Sequence, residues 1–223
     1  MKKLDLSLYL VLDPDLCGSP DGMVQTARLA AKNGATAVQL RAPHWKKKQW
    51  LETARKLKAA LSPLGVPLIV NDQVDVALAA DADGVHVGQD DLPAADVRRL
   101  IGPDKLLGVS VSDFSELAAV PATGVDYLGV GPVFPTGTKP DAGAALGIAG
   151  LGELAAATTL PVVAIGGIRS VHCGELLAAG ARGVAVVSAI CGQPDLAQAS
   201  AALAAALAAA LKTAPAACRL NAG

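Results

Sequence analysis

The sequence has few of the features that mark disulfide-rich, zinc-binding or nucleic-acid-binding proteins. Its four cysteines stand far apart in 223 residues, with no CxxC pair and no paired histidine, so neither a disulfide framework nor a zinc site is predicted. The 19 basic residues do not outnumber the 20 acidic ones, which argues against a surface that binds nucleic acid. These absences favour reduced thiols and a small-molecule partner.

Long hydrophobic runs are also missing, although the mean hydropathy is +0.42. The longest apolar stretch, 197–211, is rich in alanine, which is weakly apolar and forms helices readily, so we expect a packed helix rather than a membrane span. The N-terminal apolar run contains Asp5 and breaks at Asp13-Pro14, which fits a first strand better than a signal peptide. We therefore expect a soluble, cytoplasmic protein that binds neither membrane nor nucleic acid.

Short β-branched segments alternate with helical segments along the whole chain. Strands are predicted at 8–12, 37–41, 67–71, 84–87, 106–110, 127–131, 161–165 and 183–187. Eight strands separated by helices predict an α/β fold, a single-domain (β/α)8 TIM barrel over residues 1–212, with a flexible C-terminal tail at 213–223. An open doubly wound sheet is the alternative, but no GxGxxG follows the first strand.

Polar residues lie at or just after the ends of four predicted strands, where the active sites of this fold lie. Strand parity points Gln39 and Arg41 into the barrel, because the alternating residues Val38 and Leu40 are apolar and face the helices. The polar residues are Gln39 and Arg41 on strand two, Asn71 and Asp72 at strand three, Asp91 after strand four and Ser110 on strand five. Together with the polar loop after strand six, at 133–141, the endings of strands two, three and four suggest one shared site.

A metal site is predicted from two of these residues. Asp72 and Asp91 follow neighbouring strands, so their carboxylates could share one hard cation, and Mg²⁺ is usually held by one or two carboxylates together with water and phosphate oxygens. Asp91 also has another interpretation, as a helix cap, since it precedes Leu92-Pro93. His86 points inward in the middle of strand four, and we interpret it as a hydrogen-bonded core histidine rather than a general base.

The last strands predict a phosphate site. Gly167 follows strand seven and Val187-Ser188 ends strand eight, where this fold commonly directs backbone N–H groups at an anion. The loop after strand six adds two hydroxyls and an amine, from Thr136, Thr138 and Lys139. The alternatives are a turn without a ligand and an ordinary surface loop.

In their order along the chain, these segments resemble the thiamine-phosphate synthase family. They are 39–41, 71–72, 82–91, 108–110, 126–132, 136–139, 164–168 and 187–190. The resemblance runs from strand one to strand eight and rests on the ordered set rather than on any one motif. It implies a transferase of thiamine biosynthesis that joins 4-amino-2-methyl-5-pyrimidinylmethyl diphosphate to 4-methyl-5-(2-phosphooxyethyl)thiazole, giving thiamine phosphate and diphosphate.

The resemblance also implies a role for each polar strand end. Implied contacts to the pyrimidine diphosphate are Gln39, Arg41, Asn71, Ser110 and Lys139; implied Mg²⁺ ligands are Asp72 and Asp91; implied contacts to the thiazole phosphate are Thr136, Thr138, Gly167, Val187 and Ser188. The family's reaction is dissociative and needs no nucleophilic side chain, so Arg41, Ser110 and Lys139 are the implied catalytic residues. Whether the chain forms a homo-oligomer stays open.

One position departs from the family's pattern. The family usually has Gln-x-Arg-x-Lys after strand two, and here Pro43 stands at the lysine position. Either Lys46 or Lys47 supplies the missing cation, or the diphosphate site is weaker. Two other functions fit the scaffold, a thiazole phosphate tautomerase and a non-catalytic sensor of thiazole or thiamine phosphate, but neither gives a reason for both Asp72 and Asp91.

Overall fold

A closed barrel of eight parallel strands forms the centre of the protein. The computed structural model describes residues 4–137 and 143–213. The strands are β1 (Leu8–Leu12), β2 (Ala37–Leu40), β3 (Leu68–Asn71), β4 (Gly84–Val87), β5 (Leu106–Val111), β6 (Tyr127–Val130), β7 (Val162–Ile165) and β8 (Gly183–Val186). Each strand pairs with the next in sequence, and β8 pairs with β1. The predicted TIM barrel is therefore confirmed, with every strand boundary within one residue of its prediction.

Helices connect the strands and cover the outside of the barrel. They are α1 (Pro14–Cys17), α2 (Pro20–Lys32), α3 (Lys47–Leu61), α4 (Val74–Ala79), α5 (Ala94–Ile101), α6 (Phe114–Ala119), α7 (Gly147–Ala156), α8 (Cys173–Ala178) and α9 (Leu196–Thr213). Short 3₁₀ turns lie at Ser62–Leu64 and Ser170–His172. The break seen in the sequence at Asp13-Pro14 starts α1, because the Asp13 carboxylate accepts hydrogen bonds from Asp15 N and Leu16 N and Pro14 suits the first helical position.

Strand register sorts the side chains between the barrel interior and the helix layer. Val38 and Leu40 are fully buried against the helices, whereas Gln39 lies inside the barrel. A separate interior cluster consists of Leu6, Tyr9, Val11, Ala37, Ile69, Tyr127, Val163 and Ala185. This is the alternation that parity predicted for strand two.

The alanine-rich segment near the C-terminus is the packed helix α9. Leu203 and Leu207 of α9 are buried, and a Cβ at Gly34 would lie only 2.4 Å from the Ala204 Cβ, so α9 packs tightly against the end of α2. Within residues 4–137 and 143–213, no helix combines the length and apolar character that a membrane crossing requires. The predicted tail 213–223 lies outside the described residues except for Thr213, the last residue of α9, so that boundary stays a prediction.

Side chains just before three even-numbered strands hold the preceding odd-numbered strands at the N-terminal rim of the barrel. Each accepts a hydrogen bond from a backbone N–H at or near the start of the neighbouring strand. The bonds are Leu8 N to Thr36 Oγ1 at 3.1 Å, Leu68 N to Asp83 Oδ2 at 2.9 Å and Leu107 N to Asp126 Oδ2 at 2.7 Å. An amide that would lack a partner at the strand start is thereby satisfied.

Arg98 of α5 reinforces the third of these contacts. Its guanidinium donates to the carbonyl oxygens of Gly124, Gly102 and Lys105 at 2.6 to 2.7 Å, and to Asp126 Oδ2 at 2.7 Å. The Arg98 and Asp126 side chains are only 18% and 33% exposed. The fork geometry of arginine thus joins α5, the turn before β5 and the start of β6 at a partly buried point.

We expect Asp126→Ala to lower the free energy of unfolding by about 2 kcal/mol, because it leaves the Leu107 N–H and the Arg98 Nη2 group without their acceptor and removes the charge paired with Arg98. Urea unfolding followed by circular dichroism measures the change. Asp96→Ala is the matched control, since Asp96 pairs with Arg99 on the surface, with side chains 45% and 80% exposed, and should change stability by no more than about 0.5 kcal/mol. Equal losses of unfolding free energy in the two variants would contradict the stabilising role of the Asp126 hydrogen bonds.

Candidate active site

The sequence-predicted site residues lie around the C-terminal mouth of the barrel. Gln39 and Ser110 lie within strands, Asn71 ends β3, and the others lie in the loops that follow: Arg41 after β2, Asp72 after β3, Asp91 after β4, Thr136 after β6, Gly167 after β7, and Val187 and Ser188 after β8. Thr138 and Lys139 lie outside the described residues. Strand pairing continues around the barrel, so the described set shares one rim.

Asp72 is held in an unusual backbone conformation. Its φ angle is +58°, in the left-handed region that a residue other than glycine enters at a cost. Asp72 N donates to the His86 carbonyl at 2.8 Å, and Asn71 Nδ2 donates to Asp72 Oδ2 at 2.5 Å. These contacts fix the carboxylate beside the end of β4, and left-handed residues of this kind are concentrated at functional sites.

Asp91 closes the loop after β4. Its Oδ2 accepts a hydrogen bond from Gly88 N at 2.8 Å. The following helix, α5, has Pro93 at its N-cap and no side-chain cap bond, so the alternative interpretation of Asp91 as a helix cap is wrong. One carboxylate oxygen of Asp91 thus shapes the loop after β4.

The two carboxylates fit an open magnesium site better than a closed metal centre. In the described ranges there is no group of three or more His, Cys, Asp or Glu side chains that could hold a metal ion, so a protein-enclosed site of the zinc type is not formed there. Asp72 and Asp91 follow the adjacent strands β3 and β4. Mg²⁺ needs only one or two such carboxylates when phosphate oxygens and water complete its shell.

Arg41 has a charged side chain that pairs with no other residue in the described part of the chain. It is half-buried directly after β2, and no hydrogen bond or ion pair joins its guanidinium to another residue of the described chain. A guanidinium left in this way at a barrel mouth can bind a carboxylate or phosphate with two parallel hydrogen bonds.

The position of Pro43 has a local structural reason. Trp45 N donates to the Ala42 carbonyl at 3.0 Å, which closes a four-residue turn with Pro43 at its second position, where proline is favoured. Lys47 does not replace the missing cation here, because its ammonium group bonds to Gln73 Oε1 and, at 2.7 Å, to Asp75. That hydrogen bond from Lys47 lowers the pKa of the Asp75 carboxyl.

The turn after β7 depends on two glycines. Gly166 and Gly167 have φ angles of +99° and +63°, and a Cβ on Gly167 would lie 2.6 Å from the Pro135 carbonyl oxygen. The loop after β6 runs along this turn, with Phe134 N donating to Gly166 O at 3.1 Å. The two glycines therefore let the loop after β6 pack closely against this turn, in addition to any part they take in binding an anion.

The end of β8 lies next to this glycine turn. Ile165 pairs with Ala185, so Gly167 and Val187 come two residues later on neighbouring strands. The Val187 carbonyl accepts from Ile190 N at 3.0 Å and from Cys191 N at 2.8 Å, which forms a helical turn immediately after β8. Gly167, Val187 and the exposed Ser188 thus follow neighbouring strands at one part of the rim, and their binding of a phosphate stays a prediction.

A chain of hydrogen bonds inside the barrel was not predicted from the sequence. It links Gln39, Tyr9, Tyr127, His86 and Ser110, which we call the polar chain. Gln39 Nε2 lies 2.9 Å from the Tyr9 hydroxyl, the two tyrosine hydroxyls are 2.8 Å apart, Tyr127 OH lies 3.1 Å from His86 Nδ1, and His86 Nε2 lies 2.9 Å from Ser110 Oγ. His86 is buried and hydrogen-bonded, as interpreted from its parity. The inward parity of Tyr9 and Tyr127 is the signal that could have revealed the rest.

Comparison with known proteins gives consistent relatives. The family model described as thiamine monophosphate synthase matches residues 8–190. A thiamine-phosphate synthase of Laribacter hongkongensis is 58% identical over 87% of this chain and 92% of its own, and that of Xanthobacter autotrophicus is 55% identical over 94% and 99%. The solved structure of thiamine phosphate pyrophosphorylase from Pyrococcus furiosus superposes with a TM-score of 0.84 at 36% identity, covering 94% of this chain and 98% of that one.

The polar chain needs the space left by Gly108, where a Cβ would lie 2.2 Å from Tyr127 Cζ and 2.4 Å from His86 Nδ1. We expect Gly108→Ala to lower the free energy of unfolding by about 1 to 3 kcal/mol through this overpacking. Gly174→Ala in α8 is the control, because nothing lies within 4 Å of the added Cβ and alanine favours a helix. Urea unfolding of both variants decides; a Gly108→Ala protein as stable as Gly174→Ala would show that the interior tolerates the methyl group.

Proposed function

The chain belongs to the thiamine monophosphate synthase family and is a transferase of thiamine biosynthesis, and from this premise we propose its substrates and the roles of its residues. It joins 4-amino-2-methyl-5-pyrimidinylmethyl diphosphate to 4-methyl-5-(2-phosphooxyethyl)thiazole. The products are thiamine phosphate and diphosphate. We further propose that it works in the cytoplasm, on free small molecules.

The observation that carries this proposal is the sharing of one barrel mouth by two carboxylates, a glycine turn and a guanidinium that pairs with no other described residue. Arg41 lies after β2, Asp72 and Asp91 after β3 and β4, and Gly167 after β7. A diphosphate with its metal therefore fits near β2 to β5, and a second phosphate fits near β7 and β8. Two anions on opposite parts of one rim match a reaction between two phosphorylated substrates.

The bond changes need no nucleophilic side chain. The bond between the pyrimidine methylene carbon and the diphosphate oxygen breaks, and its electron pair leaves with the diphosphate. The lone pair of the thiazole nitrogen then forms the new carbon–nitrogen bond, which gives a thiazolium without any proton transfer. The protein has to stabilise negative charge on the leaving group and hold the acceptor close to the methylene carbon.

Individual residues meet these demands. Arg41, together with Lys139, binds the leaving diphosphate, and Asn71 and Ser110 orient it with neutral hydrogen bonds. Gln39 contacts the pyrimidine, while Thr136, Thr138, Gly167, Val187 and Ser188 hold the thiazole phosphate. Asp72 and Asp91 would hold Mg²⁺, which when bound neutralises charge on the diphosphate.

Asp72→Asn tests the metal site without disturbing the backbone, because asparagine tolerates a positive φ angle. We expect kcat/KM for thiamine phosphate formation to fall by roughly 100-fold, since a fixed charge that serves the leaving group is lost. Activity of the unaltered protein should need added Mg²⁺ and should stop when a chelator is present.

Asp81→Asn is the matched control, because Asp81 also has a positive φ angle of +50° but lies before β4 at the opposite rim, 86% exposed and paired with Lys105. It should keep full activity. Equal activity of the Asp72→Asn and Asp81→Asn proteins would refute the metal role. No product from a folded protein that still binds the thiazole phosphate would instead indicate a tautomerase or a sensor.

Pro43→Lys tests whether this chain has a weakened diphosphate site. We expect the KM for the pyrimidine diphosphate to fall by roughly five-fold with kcat little changed, because an added ammonium would contact the substrate in both ground and transition states. Pro43→Ala controls for loss of the rigid ring in the Ala42–Trp45 turn. A KM in Pro43→Lys that is no lower than in Pro43→Ala would count against the idea.

A further inference from the structure

The polar chain crosses the barrel interior and ends at two residues of the proposed substrate site. Gln39 on β2 is one end and Ser110 on β5 is the other. The three residues between them, Tyr9, Tyr127 and His86, are at most 7% exposed and lie below the rim. They have no assigned role in the reaction.

The direction of the protons along the polar chain follows from its chemistry. The Gln39 amide nitrogen can only donate, so the Tyr9 oxygen accepts from it. The remaining partner of the Tyr9 O–H among the described residues is the Tyr127 hydroxyl, to which Tyr9 therefore donates. Tyr127, which accepts that hydrogen bond, donates its own hydrogen bond to His86 Nδ1. A neutral imidazole has one acceptor and one donor nitrogen, so His86 carries its proton on Nε2 and donates it to Ser110 Oγ.

We propose that Tyr9, Tyr127 and His86 are positioning residues that leave the Ser110 hydroxyl proton free to be donated to the substrate at the barrel mouth. The proposal rests on the proposed function, because it takes the leaving diphosphate as the acceptor of the hydrogen bond that the Ser110 hydroxyl donates. In the other tautomer, His86 Nε2 would accept a hydrogen bond from the Ser110 hydroxyl, and the Ser110 O–H would point into the barrel. Ser110 could then offer the leaving group only lone pairs, which repel its developing negative charge.

The surroundings of the polar chain hold its rings in place and keep its tyrosines neutral. The ring centroids of Tyr9 and Tyr127 are 5.8 Å apart and those of His86 and Tyr127 are 5.5 Å apart. A Cβ on Gly129 would lie 3.0 Å from His86 Cε1, so the imidazole is closely packed. Burial raises the pKa of both tyrosine hydroxyls above the ordinary value, so they remain neutral donors across the range in which enzymes work.

The first test reads the tautomer directly and needs no substrate. In ¹⁵N-labelled protein, long-range proton–nitrogen correlation distinguishes the protonated ring nitrogen of each histidine. The chain has three histidines, so variants of His44 and His172 leave the His86 signals assigned. We expect the proton on Nε2 in the unaltered protein. A proton on Nδ1 would overturn the proposal, whatever the enzyme's activity.

The second test links the tautomer to the reaction. Tyr127→Phe keeps the ring but removes the donor that favours the proton on His86 Nε2. Because Nδ1 then has no partner in either tautomer, we expect the Nδ1–H form to become populated beside the Nε2–H form, and kcat to fall by up to roughly ten-fold with KM little changed. Tyr9→Phe should have a smaller effect, because Tyr127 can still donate to His86. In a Ser110→Ala background, Tyr127→Phe should cause no further loss of kcat.

Ser200→Ala is the control for removal of a buried hydroxyl. Ser200 Oγ in α9 is buried without a hydrogen-bond partner among the described residues, so its loss should leave kcat unchanged. Losses from Tyr127→Phe that are as large with Ser110→Ala as without it would show a structural role only and overturn the proposal. Absence of thiamine phosphate formation by the unaltered protein would overturn the proposed function instead, while the tautomer measurement would still judge the proton direction.

Discussion

The closed register of the eight strands is the constraint on which the site depends. Once β8 pairs with β1, no strand can slip by one residue without moving its outward Val and Leu side chains into the barrel. The same register turns Gln39, Asn71 and Ser110 inward and brings the loops after their strands to one rim. Hydrophobic burial against the helices therefore orients polar groups that contribute little to stability themselves.

A closed interior also forces its polar groups to satisfy one another. Tyr9, Gln39 and His86 are cut off from water, where an unpaired donor or acceptor would cost roughly 1 to 3 kcal/mol. Glycines at 108 and 129 make the room for their rings. The contacts that keep the core satisfied also reach the reacting end of the barrel through Ser110, so core packing and substrate orientation are not separable in this chain.

The sequence predicted the barrel, its strands and the rim positions of the described site residues because these follow from local pattern: parity, strand count and the residues after each strand. It did not predict the polar chain, because Tyr9 and Tyr127 are 118 positions apart and their contact depends on closure. It also left Asp91 with two interpretations, which were separated by the position of Pro93 at the N-cap of α5 and by the hydrogen bond from Gly88. Asp enters the left-handed region more readily than most residues with a side chain, but this preference does not single out Asp72 among the many aspartates of the chain; the contacts with His86 and Asn71 hold it there.

Three side-chain hydrogen bonds at the N-terminal rim tie neighbouring strands together. Thr36 ties β1 to β2, Asp83 ties β3 to β4, and Asp126 ties β5 to β6. No hydrogen bond of this kind joins the other neighbouring strands in the described part of the chain. All three ties lie at the rim opposite the proposed active site, so a substitution that loosens one of them acts on the stability of the barrel at the end away from the reaction.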